Sequence, residues 1–328
     1  MLMPSISLAE IETTTQAALE AHGADTWIAQ EVAKAVRKAE AVSNRICGLY
    51  YLESYCQQLE TGRVNGKVEP IVSRPQAGRV VVDAKYGFAQ SAFSRGLPEA
   101  VSAAKENGIA NFSICHAHTC TSLGFFTEQI AIHGLISIAM TNASAIVAPP
   151  GGKTRVIGTN PIAFSVPDGN GDIAMQFDQS TTTVALGKIT MAKAAGERIP
   201  EGWALDKEGN PTTDPEAAIA GSLISMGGYK GWGFGLMAEI LTAGMNGGNT
   251  SRDVKPLKAP EGSPHDLGLY CLLIDPDSSS DFYNRLQQIA DAIAQDEGAR
   301  MPGQFKVEQD PVELEEAVWG KTLELAGK

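Results

Sequence analysis

The sequence predicts an α/β protein with one helical or mixed domain and one sheet-rich domain. Amphipathic helical patterns fill the N-terminal part. Short apolar runs rich in β-branched residues, separated by Gly, Pro and Asn, fill the middle from Arg79 onward. The C-terminal part mixes a strand pattern with helices. We therefore expect 1–70 and 250–328 to pack together as the helical and mixed domain, and 71–249 to form the sheet-rich domain.

The N-terminal helices are predicted from a capping signal and from periodicity. Ser7 followed three residues later by Glu10 has the spacing of a capping box, which opens a helix that ends near Gly23. A second helix is expected over 25–42, because its apolar residues fall on one face. An aromatic segment over 49–59 follows.

The remaining elements are predicted from apolar runs and from Gly, Pro and Asn between them. Strands are expected over 79–82, 109–115, 135–140, 173–177 and 270–274. Helices are expected over 98–106 and 127–133, from the glycine-rich segment at 227–233 to about residue 245, from residue 281 through 293, and from about residue 312.

Composition excludes several classes of function. The 328 residues are 43% hydrophobic and 20% charged, as in a soluble globular protein. A formal charge of −12 disfavours unspecific binding to nucleic acid or to an anionic membrane. We find neither a signal peptide nor an apolar span. Five scattered cysteines, an odd number, fit a reducing compartment, so a cytoplasmic protein is expected.

No Gly-x-Gly-x-x-Gly sequence is present, so a Rossmann dinucleotide site is not expected. The segment Gly227-Gly228-Tyr229-Lys230-Gly231 precedes a predicted helix. It could bind phosphate through the N–H groups of a helix N-terminus, or it could be a tight structural turn. Spacing alone does not choose between these alternatives.

The segment Cys115-His116-Ala117-His118-Thr119-Cys120 follows a predicted strand, and alternating residues of an extended chain point the same way. His116, His118 and Cys120 could therefore bind zinc. The usual second cluster of ligands is missing, and we favour a polar wall of a substrate or cofactor site, with no metal. The polar residues at 159–160 and 178–183 are either turn and cap residues or ligand contacts.

Several motifs occur in an order that resembles the malate/L-lactate dehydrogenase family of the non-Rossmann kind. That family includes ureidoglycolate dehydrogenases, diketogulonate reductases, and piperideine-2-carboxylate and pyrroline-2-carboxylate reductases. The resemblance covers residues 8–306. The most specific motifs are Ile157-Gly158-Thr159-Asn160-Pro161, the segment 177–188, Ile199-Pro200-Glu201-Gly202-Trp203 with Pro211-Thr212-Thr213, and Gly227-Gly228-Tyr229-Lys230-Gly231.

The resemblance implies a largely antiparallel cofactor-binding sheet, a homodimer with its active site near the subunit contact, and hydride transfer between NAD or NADP and C2 of a small 2-oxo or 2-imino carboxylate. Lys230 and Arg300 suit the dinucleotide's phosphates. The implied cofactor-binding residues are Thr119, Cys120, Thr121, Ser122, Leu123, Asp178, Gln179, Ser180, Thr181, Thr182, Tyr229, Lys230, Arg300, Gly303 and Lys306.

One departure from the family pattern concerns the proton donor. The family usually has Ser-His-Gly after the second helix and an Arg three residues later, whereas this chain has Ile46-Cys47-Gly48 and Tyr51. Cys47 could donate a proton, since a free thiol has a pKa of about 8.5, or it could be a small buried hydrophobe. The other candidate catalytic residues are His116, His118 and Lys188, and the candidate substrate-binding residues are Arg45, Tyr51, Thr159 and Asn160.

We therefore predict an NAD(P)H-dependent reductase of a small cyclic 2-imino acid, because a protonated imine accepts hydride without a further proton. A malate- or lactate-type 2-hydroxy acid dehydrogenase is the alternative in the same class. A metal-dependent lyase or a non-catalytic ligand-binding paralogue is the alternative of another class. The sequence does not distinguish NADH from NADPH.

Overall fold

The computed structural model describes residues 3–276, 281–304 and 307–328. A seven-stranded sheet lies at its centre. Across the sheet the strands are β2 (Ile71–Gln76), β3 (Arg79–Asp83), β4 (Ile109–Ala117), β11 (Leu267–Ile274), β5 (Ile136–Thr141), β6 (Ile162–Pro167) and β7 (Ile173–Gln179). Among the described pairs of this sheet β3 and β4 are parallel, and the others are antiparallel. The predicted fold, a largely antiparallel sheet with helices, is confirmed.

Two strands of this sheet are absent from the sequence prediction. β2 lies at the edge, is mostly exposed and contains Pro75, so it lacks the apolar alternation of a buried strand. β6 directly follows the turn residues of the motif at 157–161, and those turn residues indicate a loop, although Ala163, Ser165 and Val166 are buried within the sheet. In both segments the local sequence pattern does not show that the residues pair with a neighbouring strand.

The strand β11 comes late in the chain and lies in the middle of the sheet. It pairs with β4 on one side and with β5 on the other. Leu269, Cys271 and Leu273 are fully buried. The predicted boundary at residue 250 groups this strand with the terminal segments, whereas its hydrogen bonds join it to the sheet. The division into two domains stays a prediction.

The two ends of the described chain meet in a helical layer. This layer contains α1 (Leu8–Ala21), α2 (Thr26–Ala41), α3 (Leu52–Glu60) and α10 (Glu316–Leu325), and its core includes Ile11, Leu19, Ile28, Leu52 and Trp319. The short strands β1 (Ser5–Ile6) and β12 (Val312–Glu313) pair beside it. The Ser7 hydroxyl accepts the Glu10 N–H at 3.2 Å, as the capping signal predicts.

Helices α4 (Ala89–Asn107) and α5 (Gly124–Ala131) pack against the sheet. Phe93, Phe112 and Phe126 lie fully buried between these layers. Helix α4 starts earlier than predicted and contains Pro98, because its apolar face already begins at Ala92 and Phe93. Helix α4 connects the parallel strands β3 and β4 and packs against both of them.

A smaller unit around β8 (Ala204–Leu205), β9 (Pro211–Thr212) and β10 (Ser222–Leu223) has its own core with Val147, Ile157 and Ile189. Its helices are α6 (Leu186–Ala195), α7 (Pro215–Ala220) and α8 (Tyr229–Glu239), which continues as a π-helical turn (Ile240–Gly244), and α9 (Phe282–Ile293) follows later in the chain. Within the described ranges, no helix combines the length and the apolar character needed to cross a membrane.

Candidate active site

The Cys47 turn joins α2 to α3. It consists of two 3-10 turns, Arg45–Cys47 and Leu49–Tyr51, on either side of Gly48. The buried carboxylate of Glu40 accepts the Leu49 N–H at 2.7 Å. A Cβ at Gly48 would lie 2.1 Å from Glu40 Oε1, so a larger residue there would require the buried Glu40 side chain or the turn to move. The Glu40 carboxylate therefore fixes the turn that presents Cys47.

The Cys47 thiol is a weaker acid than the sequence analysis assumes. All five cysteines are described, and Cys47 alone among them is not buried. Its sulfur is nevertheless enclosed by protein, and desolvation, followed by the negative charge of Asp178, raises the pKa of Cys47 to about 12 although the Asn44 side chain opposes the shift. The thiol is thus neutral and a poor proton donor at neutral pH.

Two tyrosines continue from Cys47 at helical spacing. Tyr51 and Tyr55 lie with ring centroids 5.7 Å apart. Burial, with a smaller contribution from Cys47, raises the pKa of Tyr51 to about 12. Tyr55 is fully buried with its pKa well above the usual value, and the Thr121 side chain faces its hydroxyl without reaching normal hydrogen-bond geometry. The tyrosine hydroxyl groups near Cys47 are therefore neutral, and their raised pKa values make them weak proton donors at neutral pH.

The predicted cofactor segment 119–123 forms the loop between β4 and α5. Asp178, at the end of β7, accepts the Gly124 N–H at 2.8 Å and the Ser122 hydroxyl at 3.0 Å. Thr121 has a φ of +60°, which is unusual for a β-branched residue and marks backbone strain in this loop. Two of the predicted cofactor segments thus meet beside Cys47.

The hydroxyl-rich segment after Asp178 packs against the Thr159-Asn160 turn. The Thr159 carbonyl accepts both the Thr181 N–H, at 3.0 Å, and the Thr181 hydroxyl, at 2.9 Å. The Asn160 amide is fully buried and donates to Gly235 O and to Glu239 Oε2. Its side chain therefore holds α8 in place and faces the interior, although the sequence prediction counts it among the substrate contacts.

The glycine-rich segment lies beside these residues, since the Met226 N–H donates to Thr181 O at 3.0 Å. Gly227 and Gly228 have φ values of +59° and +63°, and a Cβ at Gly228 would meet nothing within 4 Å. Tyr229 and Lys230 are exposed in the first turn of α8. Open backbone and a cation at a helix N-terminus suit the phosphates of a dinucleotide.

The predicted segment 300–306 reaches the same region from the C-terminal part of the chain. The Gln176 N–H donates to Pro302 O at 3.0 Å, and a Cβ at Gly303 would lie 2.7 Å from Gln176 O. This turn therefore packs on β7, two residues before Asp178. Arg300 is exposed at its start. Lys306 lies outside the described residues.

The Cys47 turn and α6 enclose a cleft of about 560 Å³, within the size range of small-molecule sites. Arg45, Ile46, Tyr50, Gly187 and Met191 are among its lining residues. Arg45 is exposed and donates through Nη2 to Glu313 O at 3.1 Å. Lys188 is exposed in the first turn of α6, next to Gly187, so the structure brings both predicted cationic residues to this side of the protein.

The two candidate histidines point to different places. His118 is buried, stacks on His265 with ring centroids 4.0 Å apart, and donates from Nε2 to Gln58 Oε1 at 2.5 Å. Burial lowers its pKa well below the usual value, so His118 is neutral. His116 instead pairs through Nδ1 with Asp266 at 2.7 Å.

The proposed zinc ligands therefore diverge, since Cys120 Sγ faces the Thr141 hydroxyl. The sequence analysis does not name Tyr55 or Gln58 as site residues. Gln58 accepts the hydrogen bond from His118, and Tyr55 lies against the His118 ring and faces the Thr121 side chain. The spacing of Cys47, Tyr51, Tyr55 and Gln58 is that of one helix face, and this signal was available in the sequence.

Comparison with known proteins identifies the family of this chain. The family model described as malate/L-lactate dehydrogenase matches residues 6–318. The chain belongs to the malate/L-lactate dehydrogenase family. Members of this family are oxidoreductases, and this member is an NAD(P)-dependent dehydrogenase or reductase.

Three members illustrate the likeness. The (2R)-3-sulfolactate dehydrogenase (NADP(+)) of Chromohalobacter salexigens is 41% identical over 91% of this chain and 89% of that protein. The Δ1-pyrroline-2-carboxylate reductase of Ancylobacter novellus is 36% identical over 83% of this chain and 79% of that protein. The crystal structure of Δ1-piperideine-2-carboxylate reductase from Pseudomonas syringae pv. tomato, 28% identical, covers 98% of this chain and 99% of its own with a TM-score of 0.90.

Proposed function

We propose that this member of the malate/L-lactate dehydrogenase family reduces a small cyclic 2-imino acid of the pyrroline-2-carboxylate or piperideine-2-carboxylate type. The observation that carries the proposal is Cys47, a neutral thiol with a pKa raised to about 12 where the family usually has a histidine. Relatives named as reductases of these two substrates support it.

The chemistry explains why this residue favours an imine. When hydride adds to C2 of a protonated imine, the electron pair of the C=N bond moves to nitrogen and gives a neutral amine. No further proton is needed. When hydride adds to a 2-oxo acid, the oxygen becomes an alkoxide and requires a proton donor. A site without an acid of ordinary strength therefore favours the imine, and the negative charge of Asp178 near Cys47 favours a cationic substrate.

We propose that the dinucleotide lies along the loops that converge around Asp178. The nicotinamide cofactor supplies the hydride when bound. Residues 119–123 and 178–182 would contact it, and Tyr229 would contribute an exposed ring. Lys230 and Arg300 would face its phosphates, since both cations are exposed and Lys230 lies beside open glycine backbone.

We propose Arg45 as the residue that binds the substrate carboxylate. Its guanidinium has five N–H donors, and the contact with Glu313 O leaves others for the cleft. Tyr51 would line the site beside Cys47, and Lys188 would add positive charge. Among the other two predicted contacts, Thr159 would act through its position beside Thr181, while Asn160 would act only by holding α8.

A 2-hydroxy acid dehydrogenase is the second candidate. The 41% identity to an enzyme named as a sulfolactate dehydrogenase favours it. Arg45 and Gly187, the residue before Lys188, line the same cleft, and two cations there suit a substrate with a sulfonate as well as a carboxylate.

The experiment is a comparison of substrates and variants. Oxidation of NADPH or NADH is followed with pyrroline-2-carboxylate, piperideine-2-carboxylate, pyruvate, oxaloacetate and 3-sulfopyruvate. We expect turnover of the imines, little change in Cys47→Ala, and a gain of 2-oxo acid reduction of at least about tenfold in Cys47→His, whose imidazole can donate a proton. Cys56→Ala, which removes a buried thiol elsewhere, is the matched control.

Two results would contradict the proposal. Turnover of 3-sulfopyruvate or another 2-oxo acid in preference to the imines would favour the second candidate. Loss of imine reduction in Cys47→Ala, with cofactor binding retained, would mean that the thiol takes part in catalysis after all.

We also propose a cytoplasmic homodimer. Five unpaired cysteines support a reducing compartment. An apolar groove of about 400 Å³ on the face of β5, β6 and β7 supports a subunit contact, with Phe164, Phe177, Phe234 and Tyr270 among its lining residues. Light scattering on the purified protein tests the oligomeric state.

A further inference from the structure

Three potential metal ligands meet where β3 and β4 end. They are Asp83, Cys115 and His116, and one ligand atom of each lies within 4.8 Å of the others. Within the described part of the chain, no other group of three or more His, Cys, Asp or Glu side chains brings its ligand atoms this close together. None of the three takes part in the proposed reduction.

The backbone explains why these side chains converge. β3 and β4 are parallel, and their register pairs Asp83 with Cys115. Neighbouring residues of a strand normally point to opposite faces, which would separate Cys115 from His116. His116 has a φ of +52°, which breaks this alternation and allows its ring to reach the same place. Backbone strain of this kind tends to occur at functional sites.

A fourth residue orients the histidine. Asp266, just before β11, contacts His116 Nδ1 at 2.7 Å. With Nδ1 paired, Nε2 is the nitrogen that remains available to a metal ion. A carboxylate paired with the second nitrogen is the usual partner of a metal-binding histidine, because it fixes the orientation and the tautomer of the ring.

We propose that Asp83, Cys115 and His116 bind a divalent transition metal ion of the zinc class. Ligand bonds of about 2.0–2.3 Å in a tetrahedron place neighbouring ligand atoms about 3.3–3.8 Å apart, so small side-chain rotations close the observed spacing. One thiolate, one imidazole and one carboxylate suit zinc or cobalt rather than magnesium or calcium. A water molecule would occupy the fourth position.

Access and shielding both fit a metal site. The His116 side chain is 33% exposed and that of Asp266 is 20% exposed, so an ion can enter from solvent. Cys115 is buried and its Sγ donates to Val82 O at 3.5 Å, which argues against a reactive nucleophile. A bound ion would connect β3 to β4 at the start of the segment that leads to residues 119–123.

The test is a titration of the full-length protein, treated with a chelator, with Co²⁺ and then with competing Zn²⁺. We expect one equivalent of Co²⁺ to produce a thiolate-to-cobalt charge-transfer band and tetrahedral d–d bands. Cys115→Ser should abolish the charge-transfer band. Asp266→Asn, which keeps the thiol and the imidazole, should weaken binding about 10-fold to 100-fold.

Cys120→Ser and His133→Gln are the matched controls, since they remove a neighbouring buried thiol and an exposed imidazole, and both should bind Co²⁺ as the parent protein does. Circular dichroism identifies any variant that fails to fold, and for that case His116→Gln provides a second ligand variant. The absence of a charge-transfer band in the parent protein would overturn the proposal, as would an unchanged band in Cys115→Ser or its loss in Cys120→Ser.

Discussion

His118 donates a 2.5 Å hydrogen bond to Gln58, and this contact joins the end of β4 to the helical layer. The amide of Gln58 also donates to Leu257 O and to Ala259 O, each at 2.8 Å. One fully buried side chain therefore holds both the histidine and a loop of the C-terminal segment. Its position one turn of helix beyond Tyr55 links this loop to the proposed active site.

Replacement of Gln58 by leucine should destabilise the protein by about 2–4 kcal/mol. The variant leaves the His118 N–H and the part-buried Leu257 carbonyl without their partner, whereas Ala259 O keeps the Arg63 guanidinium as a donor. Each unsatisfied buried group costs about 1–3 kcal/mol. Urea denaturation measures the change. Gln57→Leu, at the neighbouring half-exposed position, is the control and should change the free energy of unfolding by less than about 0.5 kcal/mol. Equal effects of the two variants would contradict this role of Gln58.

Gly48→Ala should impair activity more strongly than a typical glycine substitution. The new Cβ would lie 2.1 Å from Glu40 Oε1, so either the turn that carries Cys47 or the Glu40 carboxylate that holds this turn through Leu49 N–H must move. We expect a loss of turnover of at least about tenfold, since small misplacements of reacting groups have large effects. Steady-state kinetics and thermal denaturation measure it. Gly320→Ala in α10, where a Cβ would meet nothing within 4 Å, should instead stabilise the protein by up to about 1 kcal/mol.

Asp178→Asn should make Cys47 easier to alkylate. Desolvation and then the charge of Asp178 raise the pKa of the thiol to about 12, and removal of that charge lowers it. The rate of reaction with iodoacetamide, followed from neutral to alkaline pH, should rise at lower pH in the variant. Cys47→Ser identifies the reacting thiol. Asp172→Asn, in the exposed turn before β7, should leave the profile unchanged; a shift there would show that general charge and not Asp178 controls the thiol.

The free energy of unfolding should fall at alkaline pH. Burial raises the pKa of Cys56 and of Cys120 from 9.0 to about 12, so the unfolded chain loses these protons first as the pH rises. Their contribution to stability is complete below pH 9.0 and disappears as the pH rises toward 12. Each thiol contributes a slope of up to about 1.4 kcal/mol per pH unit in that interval. Denaturation at several pH values tests this, and Cys56→Ala should show a shallower decline; an identical slope would exclude that thiol as a cause.

Periodicity and capping signals predicted α1, α2 and most strands of the large sheet, because those elements bury one face and carry their own local pattern. They did not predict α6 or α7. Helix α6 buries only Ile189 and α7 only Ala218, so neither has a marked apolar stripe. The periodicity of residues 270–274 predicted a strand but not its position in the sheet, because a local sequence pattern does not show which strands a segment pairs with.

The candidate site shows the same limit. The resemblance assigns the loops around Asp178 and the turn at Gly303 to one cofactor site, and the structure brings these segments together on β7, while cofactor binding there stays a prediction. It could not show that His118 and Asn160 turn inward. Their partners, Gln58 and Glu239, are 60 and 79 residues away in sequence, and no local spacing encodes such contacts.

The central position of β11 has a consequence for synthesis on the ribosome. β4 and β5 are complete long before β11 emerges, yet each forms its ladder with β11 and not with the other. A nascent chain shorter than about residue 274 therefore carries two strand edges with no native partner. Formation of this sheet must await late translation, and a pause before β11 would leave an intermediate prone to aggregation.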